Sequence, residues 1–234
     1  MHDSLIIVNG EIPPLALWRD IEYRTLLCTD GAALVLKELG LTPDVILGDM
    51  DSITQGANPL TCGEDYSQDY FLNNFPTSKI ILASDQNSTD FEKLLNYTIE
   101  IYLPDSPRVL CLGALGKQAD HAMHNLGLLA RYAPGFNQLM FLHTDHLDHK
   151  QWVFALGHET LIEAEIGALI SIIPLADTQF SSKGLKWELS DTILSPTGSS
   201  CVRNRVKSKQ LTTLSNGPCL CFITSENPPT VIYK

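Results

Sequence analysis

The stretch VILGDMDS, residues 45–52, decides how this chain is read. Val45, Ile46 and Leu47 form a short continuous apolar run, as in a strand buried on both faces of a parallel sheet. Gly48 ends the run and lets the backbone turn or a ligand approach closely. Asp49 and Asp51 then stand just past the carboxyl end of the strand, where open α/β sheets bind ligands. Two carboxylates this close repel unless a cation or proton lies between them. A divalent metal carrying phosphates suits such a pair.

Working outward, similar apolar runs recur at residues 5–8, 25–28, 79–83, 108–112 and 138–143. Helical stretches are expected at 15–20, 32–39, 89–99 and 120–132, with Gly40 stopping the second and Thr89 with Glu92 forming a capping box on the third. Residues 54–77 read as a less regular helical or looped excursion. Strands alternating with helices give a parallel sheet covered by helices on both faces. Beyond Gln151 the helical period is lost. Short segments such as WVFAL, ALISIIPL and CLCFI read as an all-β sandwich or barrel. The expected organisation is α/β: a three-layer parallel-sheet nucleotide-binding domain over residues 1–147, then an all-β sandwich over 148–234.

Each parallel strand ends in polar residues at one rim of the sheet. Asp30 follows the second strand, and Asp49 and Asp51 the third. Asp85, Thr89 and Asp90 follow the next, and Gly113, Gly116, Lys117, Asp120 and His121 the one after. Converging carboxylates from separate loops are what a metal–nucleotide site requires. Each also has an ordinary role: Asp90 suits the dipole of its helix, and Asp120 suits an N-cap. Trp187 alternates with charged neighbours in LKWEL, so core packing is its default, with an aromatic platform as the other reading.

The net charge of −11 argues against a broad basic surface for nucleic acid. It leaves room for a phosphorylated substrate carried by a metal. The six cysteines include no CxxC pair, and a reduced, cytoplasmic protein is the simplest reading. No signal peptide is expected in MHDSLIIVNG, and no apolar run is long enough to span a membrane. His143, His146 and His149 recur every three residues, but a polar connecting loop is preferred to a zinc site.

These blocks resemble the thiamin pyrophosphokinase family. TDGAA (29–33) is similar to its Asp-Gly-Gly-Ala segment, with Ala32 in place of the second glycine. PDVILGDMDS (43–52) matches its most characteristic block. DQNSTDFEKLL (85–95) and GALGKQADHAMHNL (113–126) resemble its Thr-Asp-x-x-x-Lys and Gly-Gly-Arg-x-Asp-His blocks. KGLKWEL (183–189) is similar to its Gly-Leu-x-Trp segment, and Asn204 falls where its Ser-Asn pair ends. The resemblance implies a homodimeric enzyme whose sites form between subunits. It would transfer the pyrophosphoryl group of ATP to the hydroxyl of thiamin, giving thiamin diphosphate and AMP. It further implies Asp49, Asp51 and Asp90 as Mg²⁺ ligands, with Asp30 and Asp120 completing the catalytic acidic cluster. Ser52, Thr89, Lys93, Lys117 and His121 would bind ATP phosphates, and Trp187 and Asn204 would meet thiamin. Two positions differ from the family pattern: Gln118 stands where Arg is usual, and Arg203 where Ser is usual. A weak thiamin or nucleotide sensor and a metal-dependent phosphohydrolase are the competing functions.

Overall fold

The computed structural model describes residues 1–50 and 67–234, which fall into two compact units. The first comprises Met1–Ala122 with Gly135–Asn137, and the second Met123–Pro134 with Gln138–Lys234.

In the first unit, strands β1 (His2–Ile7), β2 (Tyr23–Thr29), β3 (Val45–Gly48), β4 (Lys79–Leu82) and β5 (Arg108–Leu112) form a parallel sheet ordered β5-β1-β2-β3-β4. Leu5, Ile6, Ile7, Ile46 and Leu110 are fully buried, as expected of apolar runs in a covered parallel sheet. Helices α1 (Asp30–Glu38), α2 (Ser67–Asn74) and α3 (Asp90–Tyr102) return the chain between strands; α4 (Ala119–Tyr132) follows β5, and its residues from Met123 onward belong to the second unit. At the α3 start Thr89 forms the N-cap half of the expected capping box: the Glu92 amide donates to Thr89 Oγ1 at 3.3 Å. Gly40, at φ +71°, takes the left-handed position that ends α1. The helix expected over residues 15–20 is only a 3-10 turn at Leu15–Leu17. Two prolines precede it, and Trp18 is pinned by its indole N–H to the Pro13 carbonyl at 2.9 Å.

The second unit carries two antiparallel sheets. One orders β12 (Cys201–Arg205), β9 (Leu169–Pro174), β14 (Cys219–Thr224), β7 (Lys150–Leu156) and β6 (Gln138–Thr144). The other orders β11 (Thr192–Leu194), β10 (Thr178–Lys183), β13 (Gln210–Ser215), β8 (Glu159–Glu163) and β15 (Thr230–Tyr233). Alternate residues of β8, β9 and β13 are buried, the period of two that puts one face of each strand into a core. Links such as Tyr233 Oη to the Ala155 carbonyl at 3.0 Å join the two sheets. The fold is α/β with an all-β C-terminal part. Among the described residues, no helix is long and apolar enough to cross a membrane.

Candidate active site

The register of the parallel sheet builds the acidic cluster. Thr29 pairs with Leu47, so Asp30 and Gly48 are the next residues on neighbouring strand ends. Gly48 in turn pairs with Leu82 of β4, and the Ala83 amide donates to the Gly48 carbonyl at 2.9 Å. Asp30, Asp49 and Asp90 thus leave the ends of three adjacent strands. Each offers a carboxylate oxygen, and these oxygens lie within 4.8 Å of one another. Asp30 is buried and the other two are half-buried.

Local structure holds each carboxylate. Asp30 opens α1, and its Oδ1 accepts from the Gly31 amide at 2.6 Å. Asp49 Oδ2 accepts from Gln86 Nε2 at 3.2 Å. Met50, which follows it, is buried in the left-handed region at φ 65°. That backbone is unfavourable for a side chain with a Cβ and is typical of functional turns. Asp90 opens α3 and accepts from Lys93 Nζ at 3.0 Å, while the same ammonium donates to the Ala83 carbonyl at 2.7 Å. Burial raises the Asp90 pKa above the ordinary carboxylate value. The Lys93 hydrogen bond and charge oppose that shift, while repulsion from Asp30 and Asp49 adds to it.

Three oxygens in this geometry fit a hard divalent cation, which prefers carboxylate ligands and cancels their repulsion. Among the described residues, this is the one group of three or more potential metal ligands so placed. The histidine segment makes no such group: His149 Nδ1 instead pairs with Asp145 Oδ2 at 3.0 Å within a turn. His149 and the Leu147 amide together hold the Asp145 pKa down to about 2.

Asp51 and Ser52 lie outside the described residues. Asp120 is exposed and stands apart from the three-carboxylate group, with Oδ1 on the His121 amide at 2.9 Å. His121 is exposed as well. Thr89 is engaged as the cap of α3. Lys117 is exposed on the loop between β5 and α4, its Nζ donating to Asn9 Oδ1 at 3.0 Å and to the Asn9 carbonyl at 3.2 Å. The sequence motifs do not single out Asn9; an Asn-Gly pair just past β1, at the same rim, is the signal that could have found it.

The Trp187 segment corrects an expectation. LKWEL is not a strand; only Leu185 makes an isolated bridge, to Val206. The segment is a tight loop. Glu188 accepts from the Gly184 amide at 2.7 Å and from Ser182 Oγ at 2.9 Å. Leu185 is buried, whereas the Trp187 side chain, expected in the core, is 55% exposed. Local hydrogen bonds override the alternating pattern. Asn204, buried, accepts from the Trp187 amide at 3.2 Å and donates to the Trp187 carbonyl at 2.7 Å. It therefore fixes the backbone that presents the indole. Lys186 Nζ lies 4.6 Å from the centre of that ring.

A parallel sheet followed in the chain by antiparallel sheets also describes solved structures. Thiamin pyrophosphokinase from Candida albicans superposes with a TM-score of 0.74 at 17% identity, covering 94% of this chain and 89% of that one. The yeast enzyme gives 0.72 at 19% identity, covering 95% and 86%. At these identities the match defines the fold. Sequence comparison goes further. A family model described as thiamin pyrophosphokinase, catalytic domain, matches residues 16–141, and one described as its vitamin B1 binding domain matches 159–217. Thiamine pyrophosphokinase 2 of Arabidopsis thaliana is 30% identical over 248 residues, spanning 94% of this chain and 85% of the relative. Thiamine pyrophosphokinase 1 of the same plant is 29% identical over 251 residues with the same coverage. The chain is an enzyme of the transferase class. It belongs to the thiamin pyrophosphokinase family, and that membership supports thiamin diphosphate formation.

Proposed function

We propose that the chain transfers the pyrophosphoryl group of ATP to the hydroxyl of thiamin, releasing thiamin diphosphate and AMP, and that it works as a homodimer. The observation that carries the site assignment is the triad of carboxylates that follow β2, β3 and β4. Asp30, Asp49 and Asp90 would hold Mg²⁺, with Asp51 as a further ligand. The bound ion would neutralise phosphate charge and align the leaving oxygen.

The side chains supply positioning. Thr89 closes the α3 start, and Lys93 ties Asp90 to the β4 loop, so the carboxylates hold their places before substrate arrives. Ser52, Lys117 and His121 are assigned to the phosphates. Asp120, outside the triad, is assigned to orient the thiamin hydroxyl and take its proton. The oxygen then bonds to the β-phosphorus as the bond to the bridging oxygen of AMP breaks. Trp187 offers a flat exposed face to the pyrimidine ring, and Asn204 holds that face in place. Residues 1–147 are assigned to ATP and catalysis, and 148–234 to thiamin.

The test is incubation of purified protein with ATP, Mg²⁺ and thiamin, read by mass spectrometry. Thiamin diphosphate and AMP in equal amounts are expected, with light scattering giving twice the chain mass. Phosphate release without thiamin would identify a phosphohydrolase, and tight binding without product a sensor. Either result overturns the assignment.

A further inference from the structure

We propose that Asn9 is a positioning residue that stations the Lys117 ammonium to receive the phosphates of the nucleotide. This rests on the reading of the acidic rim as a nucleotide site. It adds a residue from β1's loop that neither motif nor family assignment supplied.

Three observations meet here. First, the loop carrying Lys117 is locked to the segment after β1. The Val8 amide donates to the Leu112 carbonyl at 2.8 Å, and the Glu11 amide to the Leu115 carbonyl at 2.9 Å. Gly10 and Gly113 meet backbone to backbone, with no room for a Cβ on either. Second, Lys117 itself is left-handed at φ 53°, following Gly116 at φ 82°. A lysine gains nothing locally from that conformation, so the packed loop imposes it. The outcome is that both oxygens of Asn9 face the ammonium.

Third, Asn9 is anchored beside the acidic cluster. Its side-chain amide lies against Gly31, where a Cβ would collide with it. The Gly31 amide donates to Asp30 Oδ1. Asn9 therefore spans from the base of the triad to the Lys117 side chain.

The charge state of the two rim lysines decides their roles. Lys93 donates to a carboxylate, so its charge is partly consumed within the protein. Both Lys117 bonds go to neutral oxygens, which orient the ammonium without cancelling its charge. A lysine is a flexible point charge, and holding it in place reduces the ordering cost when an anion binds.

The experiment is a double-mutant cycle with Asn9→Ala and Lys117→Met in the full chain. Two readouts are used: KM for ATP in thiamin diphosphate formation, and Kd for ATP by calorimetric titration with Mg²⁺. Each single variant should weaken ATP by about fivefold to tenfold, with kcat within about twofold. The double variant should be no weaker than Lys117→Met alone, since Asn9 acts through the lysine. Lys117→Arg should restore most of the affinity. Thermal melting of each variant separates this from loss of fold; both positions are exposed, and wild-type melting is expected. Additive losses, or an unchanged Kd in Asn9→Ala, would overturn the proposal. Absence of product from wild type would instead sink the enzymatic reading, and the titration would still decide the role of Asn9.

Discussion

Gly48 and Asp30 touch so closely that a Cβ at position 48 would stand 2.6 Å from the Asp30 carboxyl carbon. The glycine at the end of β3 therefore makes the space in which the buried carboxylate of the neighbouring strand sits.

Replacing that glycine should move Asp30. Gly48→Ala is expected to lower thiamin diphosphate formation by on the order of 10²-fold, the effect of an ångström-scale displacement at a reacting centre. Overpacking should also cost about 1–3 kcal/mol in urea unfolding. A wild-type rate in this variant would show that Asp30 is not needed where it stands.

The raised Asp90 pKa makes a stability prediction with a definite sign. The folded state holds the Asp90 proton more tightly than the unfolded chain does. Its contribution is therefore fully present below the ordinary carboxylate pKa and is lost as pH rises through the raised folded value. At neutral pH without metal, the ionised group is a liability. Asp90→Asn, which keeps an oxygen for Lys93, should be more stable than wild type there and should lose that advantage in acid. Its rate should fall by about 10²–10³-fold, in the range for removal of one preorganised electrostatic group. Denaturant midpoints across the pH range, with rates at neutral pH, check both halves.

Metal should reverse that balance. Mg²⁺ at 100 times its Kd should stabilise wild type by about 2.7 kcal/mol, since it binds the folded chain alone. Asp49→Ala should lose most of this gain and nearly all activity. Equal Mg²⁺-dependent melting shifts in the two proteins would remove Asp49 from the metal site.

The indole and its support should separate by readout. Trp187→Ala is expected to raise KM for thiamin about tenfold with little change in melting, as for loss of one stacked ring. Asn204→Ala should do the same and also cost about 1 kcal/mol, because it removes two hydrogen bonds to part-buried Trp187 backbone groups. Intrinsic fluorescence during thiamin titration tests the stacking directly.

Most of the first unit was legible because its signals are local. A three-residue apolar run, a glycine and an aspartate suffice to mark a strand end. The parallel register then carries Asp30 and Asp49 to one rim, and the start of α3 after β4 brings Asp90 to them. The Thr89 cap was readable for the same reason. Trp187 was not. Its alternation with Lys186 and Glu188 imitates a strand, and only the bonds from Glu188 and Asn204, distant in sequence or hidden in side-chain chemistry, reveal a loop. Asn9 escaped because its importance depends on Lys117, 108 positions away. At Leu15–Leu17 local composition favours a longer helix than the 3-10 turn that forms, where Trp18 bonds back to Pro13 five residues earlier.

The Lys186 ammonium over the Trp187 ring has a consequence for how that face handles positive ligands. A cationic heterocycle settling on the face that Lys186 covers would displace a resident of like sign, so the exchange would leave the field around the ring nearly constant. Uptake there should vary little with ionic strength. Selectivity would then follow from shape and polarisability, because charge alone gives the newcomer no advantage over the lysine it displaces.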